Sequence, residues 1–164
     1  MKLDYLLHPS RILVLAIIAG FLSGALTSMV ILNSEPSKDK LMKDFYLTEN
    51  AIHNIYLYKV AKKNPALDEF AELLSQGSVY TEKLIAHMEI QKCTPEFSEI
   101  KTLMHDLEDK GDDVFALAIS RLFTEEKDPI AVIKEKDILE CLENVLDKYK
   151  KVSDIIEGIL VKSS

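Results

Sequence analysis

The stretch ILECLENVLDKYKKVSDIIEGI, residues 138–159, repeats its apolar residues at steps of four and three. Ile138, Leu142, Val145, Tyr149, Val152, Ile156 and Ile159 make a heptad seam held for three repeats, the pattern of a helix that buries one stripe against neighbours. Upstream, Ile100, Met104, Leu107, Gly111, Val114, Ala118 and Leu122 do the same. Leu67, Phe70, Leu74, Leu84 and Met88 give a less regular stripe, interrupted near Gly77. No segment sustains the strict alternation expected of a strand. Proline divides the chain at Asn64-Pro65, Thr94-Pro95 and Asp128-Pro129, because proline starts or stops helices. Helices are therefore predicted over 38–62, 66–91, 95–124 and 130–161. Similar lengths and short connections predict an all-α antiparallel bundle of about four helices.

Ahead of the bundle, residues 12–32 read ILVLAIIAGFLSGALTSMVIL, 21 residues without a charge. At about 1.5 Å of rise per residue this run would span a bilayer core of roughly 30 Å. It is longer than the apolar core of a signal peptide and lacks a cleavage site near its end, so the expectation is one retained transmembrane helix. The chain thus divides into an anchor, residues 1–33, and a helical domain, residues 34–164. Gly20 and Gly24 form a GxxxG through which two such helices could pack, and a homo-oligomer is expected. Lys2 and Arg11 before the span balance Lys38, Lys40 and Lys43 after it, so the distribution of positive charge leaves the orientation open.

Of the 20 Lys and Arg and 27 Asp and Glu residues, only Lys2, Asp4 and Arg11 precede residue 34, which leaves the domain acidic. An acidic domain with no basic stripe is unsuited to nucleic acid. Cys93 and Cys141 lack any metal-ligand or disulfide spacing and read as small near-core residues in a reducing compartment. No nucleophile and base are paired with an orienting group, so no enzymatic role is expected. A ferritin-like carboxylate site is disfavoured by the missing Glu-x-x-His pairs.

Among the carboxylates spaced i, i+4 are two candidate pairs, Glu108 with Asp112 and Glu143 with Asp147. That spacing stacks both acids one turn apart, as a shared divalent or ferric cation requires. The first pair falls at the edge of its apolar stripe. The second falls opposite the heptad seam, so any ion it held would lie on the outer surface. Lys150 and Lys151, one turn on, offer the competing outcome of ion pairs.

Leu107-Glu108, Gly111-Asp112, Leu122-Phe123, Asp128-Pro129-Ile130, Leu142-Glu143, Asp147 and Ile155-Ile156-Glu157-Gly158-Ile159 resemble the carboxy-terminal half of the PhoU-like family of phosphate-transport regulators. The likeness is to the branch that accompanies Pit-type phosphate transporters, and it extends more weakly through Ile55-Tyr-Leu-Tyr-Lys-Val60 and Glu69-Phe-Ala-Glu-Leu-Leu74. It implies a PhoU-like helical bundle that acts without catalysis as a regulator or accessory of inorganic phosphate uptake. It also implies a cytoplasmic domain, contact with a Pit-type transporter, and metal ligation by Glu108, Asp112, Glu143 and Asp147. The chain departs from the family where a membrane segment replaces a further helical unit, where Lys150-Lys151 replaces acids, and where Met42, Lys43 and Tyr46 stand at the first acidic positions. The alternative, from a different class, is a membrane-anchored structural helical module that self-associates.

Overall fold

The computed structural model describes residues 64–90 and 94–163, together with Asn54, Leu57 and Tyr58. Three helices account for nearly all of these: α1, Pro65–Ile90; α2, Pro95–Glu125; and α3, Pro129–Ser163. Each starts on a proline whose fixed φ suits the first helical position and whose missing N–H would have lacked a partner there. The residue before each proline supplies a cap. Asn64 Oδ1 accepts the Ala66 N–H at 3.0 Å, Thr94 Oγ1 accepts the Phe97 N–H at 3.1 Å, and Asp128 Oδ1 accepts the Ile130 N–H at 3.0 Å. The three dipeptides that divide the sequence are thus one device used three times. Thr94→Ala is expected to lower stability by about 1 kcal/mol, read as a shifted denaturation midpoint, since Phe97 at this end is buried.

Pairings fix the directions. Lys101 meets Glu157, Glu108 meets Lys150 and Gly111 meets Leu146, so α2 and α3 run antiparallel. Asn64 Nδ2 donates to Glu135 Oε2 at 3.2 Å and Gly77 faces Tyr149, so α1 and α3 run parallel. The His87 and Phe97 rings pack edge to face, 5.9 Å apart, where α1 gives way to α2. The result is an up-down-up bundle, all-helical among the described residues. Against α3 lies one more helical turn, in which the Tyr58 N–H donates to the Asn54 carbonyl at 2.9 Å. Asn54 Nδ2 donates to Cys141 Sγ at 3.7 Å and the Tyr58 hydroxyl to Asp137 Oδ2 at 3.1 Å, so this turn is antiparallel to α3. The rest of the helix expected over 38–62 lies outside the described residues, as do the apolar run at 12–32 and Cys93. Among the described residues no helix is long and apolar enough to cross a membrane.

The core joins Phe70, Leu74 and Leu84 of α1, Phe97 and Met104 of α2, and Leu142, Leu146 and Ile156 of α3. The α2 stripe matches the expected one, with only Val114 partly exposed. The α3 stripe does not keep its heptads. Ser153 and Leu160 are buried, whereas Val152 and Ile159 are half-exposed. A straight helix at about 3.6 residues per turn drifts roughly 20° per heptad against a 3.5-residue repeat. After two heptads the inward position has therefore passed from Val152 to Ser153, whose hydroxyl is satisfied by donating to the Lys150 carbonyl at 2.7 Å.

Candidate functional site

Gly111 sits on the α2 face that meets α3. A Cβ there would meet the end of the Leu146 side chain, which is itself buried, so Leu146 of α3 packs directly over the glycine. Short acidic side chains on either side of this contact can then reach across. Glu108, one turn before, is buried, and its Oε2 accepts from Lys150 Nζ at 2.7 Å. Asp147 Oδ2 accepts from Lys151 Nζ at 2.8 Å. Lys151 holds the Asp147 carboxyl below its ordinary range, against the opposing effect of burial, and a contact with Glu108 acts in the same direction. Glu143 is pushed the other way, first by burial and then by the charges of Asp147, Asp112 and Glu108. All four expected carboxylates therefore belong to one α2–α3 neighbourhood.

The expected outward placement of Glu143 and Asp147 is corrected by this arrangement. Both are half-buried, and between Ala131 and Lys150 only Ile133 is exposed. The pair does lie far round the helix from the seam, but α3 is flanked by more than one element. α1 covers the seam, α2 covers the flank that carries Glu143 and Lys150, and the Asn54–Tyr58 turn lies against the flank that carries Asp137 and Cys141. Cys141 is a free, half-buried thiol, raised by burial.

Acceptor chemistry at this place suits a hard cation, yet two of the four acids are held by ammonium groups at contact distance. Among the described residues no three His, Cys, Asp or Glu side chains converge as a ligand set. The side chains as arranged form an ion-pair seam.

A second station of the same seam is not evident from spacing. Lys101 Nζ lies 3.0 Å from Asp154 Oδ1 and 2.6 Å from Glu157 Oε2, and His105 Nε2 lies 3.4 Å from the same Asp154 oxygen. Burial raises the Asp154 carboxyl, but Lys101 and His105 together outweigh it and hold the group low. Lys101 and His105 are one turn apart on α2, and Asp154 and Glu157 one turn apart on α3. Each pair is visible in the sequence; their register is not.

These shifts carry a sign. Asp147 and Asp154 are depressed, so each contributes stability above the unfolded carboxylate range near pH 4 that is lost as pH falls through their folded values. Glu143 is raised, so its contribution is present at low pH and lost as pH rises through its folded value. Glu143→Gln should therefore stabilise the fold at neutral pH by a few tenths of a kcal/mol, about the size of a relieved like-charge contact. Urea denaturation with chelator present checks it, and a loss of stability would contradict the ion-pair description.

No family model matches the chain. The chain is similar to the UPF0111 protein YkaA of Bacillus subtilis (strain 168), 24% identical over 111 residues, or 66% of this chain and 52% of that protein. It thus spans about half the length of this relative. UPF0111 is a PhoU-related family, so the chain, all-helical among its described residues, has a distant, partial similarity to a PhoU-related protein.

Proposed function

We propose that this protein is a non-enzymatic accessory or regulator of inorganic phosphate transport, held at a membrane by its amino-terminal segment with the bundle on the cytoplasmic side. It acts by laying helical faces against a Pit-type transporter or a comparable partner. The observation that carries this reading is the similarity to the UPF0111 protein across two thirds of the chain. The ion-paired α2–α3 seam suits such a role, because it holds the two helices in one register while their outer faces stay open for contact. A divalent or ferric ion at Glu108, Asp112, Glu143 and Asp147 would first have to displace Lys150 and Lys151, and it forms no part of this mechanism.

Affinity purification of the full chain from membranes in mild detergent should recover a phosphate transporter, and deleting the gene should change phosphate uptake. Failure of both would overturn the reading. Self-association is the second reading, and exposed Phe123, Ile130 and Ile133 around the α2–α3 turn favour it. Sedimentation equilibrium of the same preparation would show a dimer or higher assembly that Phe123→Ser with Ile133→Ser dissociates.

A further inference from the structure

Along the outer seam between α1 and α2 run two adjoining depressions of about 270 and 310 Å³, which share Glu69 and Val114. Their floor is apolar: Leu73, Val114 and Leu117, the last half-exposed at 51%. Exposed Glu69, Glu72 and Asp113 rise along the rim, and none of the three forms an ion pair among the described residues. Across both depressions six carboxylates stand against two bases, Lys110 and Arg121. This is the reverse of the α2–α3 seam, where Glu108, Asp147 and Asp154 each have a cation at contact distance.

The face is longer than the depressions. Leu103, Lys110 and Leu117 recur every seven residues on α2, and Val79 stands seven residues after Glu72 on α1, with Leu103 and Val79 both exposed. From Leu103 to Arg121 is 18 residues, about 27 Å of helix. A face of that length, apolar at Leu73, Leu103, Val114 and Leu117, interrupted by Lys110 and edged by an acidic rim, is complementary to a helix whose apolar stripe is flanked by Lys and Arg. The rim repels nucleic acid, an anionic bilayer surface, and a second copy presenting the same acidic face.

The geometry points to the α1–α2 face as a docking groove for a cationic amphipathic helix of a partner protein. Resting on the accessory reading above, the source is a juxtamembrane cytoplasmic segment of an integral membrane protein, since such segments are rich in Lys and Arg. Binding of that kind joins burial of apolar surface to salt-sensitive attraction.

The test uses the full chain in phosphatidylcholine nanodiscs and a fluorescein-labelled helical peptide of alternating leucine and lysine faces, about 18 residues long to match the groove. The peptide should bind, more weakly as salt is raised. Glu69→Gln with Glu72→Gln and Asp113→Asn should raise Kd at least about tenfold, and exposed Leu117→Asp should do so independently. Glu82→Gln with Asp109→Asn and Asp112→Asn, an equal loss of charge on other faces, should leave Kd within about twofold. A photo-crosslinker at exposed Gln76 should capture the peptide. No binding, equal weakening by both triple variants, or crosslinking only from α3 would overturn the groove. Because the peptide assay contains no transporter, its failure leaves the phosphate-transport reading standing, and failure of copurification leaves the peptide result standing.

Discussion

Leu142→Ala should lower the free energy of unfolding by about 3 to 4 kcal/mol. Leu142 is fully buried at the middle of the α3 stripe, between the core residues of α1 and α2. Removing its branched end takes away the apolar area it buries and leaves a void that cannot close. The neighbours on either side along the helix, Ile138, Val145 and Leu146, are fixed by their own contacts. A domain of this size holds on the order of 5 to 15 kcal/mol in total, so the variant would lie near the edge of folding. Urea denaturation followed by far-ultraviolet circular dichroism measures the loss. Ile133→Ala serves as the comparison: Ile133 is 60% exposed and should cost well under about 1 kcal/mol. Equal effects would mean that the α3 stripe is not the core of the molecule.

Gly77→Val should be almost as damaging, about 2 to 3 kcal/mol, for the opposite reason. A Cβ at Gly77 would stand 2.6 Å from Cδ2 and 2.8 Å from Cε2 of Tyr149. Those are atoms of a rigid ring that is itself buried, so the clash cannot be relieved by turning a flexible chain end. α1 would have to move off α3, and every contact of the parallel pair would loosen with it. Valine adds two methyl groups to that collision and loses rotamer freedom in a helix. Gly158→Ala is the natural control, because a Cβ there meets nothing within 4 Å. That substitution should gain up to about 1 kcal/mol from helix propensity alone. A thermal scan of both variants separates the close approach at Gly77 from the general cost of glycine in a helix.

Most of the helical layout was legible in the sequence. Apolar periodicity and the dipeptides Asn64-Pro65, Thr94-Pro95 and Asp128-Pro129 place α1, α2 and α3 within two residues of their observed ends. Periodicity, capping and proline geometry act over one or two turns, so the information is local. The α2 core residues follow from the same rule. The acidic character and the i, i+4 carboxylate pairs are likewise properties of the chain alone.

Only the tertiary structure decided what those carboxylates face. Glu143 and Asp147 stand well away from the apolar seam of α3, and a wheel drawn on one helix sends them to solvent. α2 brings Glu108 and Asp112 against that flank because Gly111 admits Leu146, and Lys150 then reaches Glu108 across the interface. The meeting of Lys101 with Asp154 and Glu157 and the acid-rimmed groove between α1 and α2 have the same origin. Each depends on the register between helices far apart in sequence, and side-chain period within one helix holds no information about the register of the next.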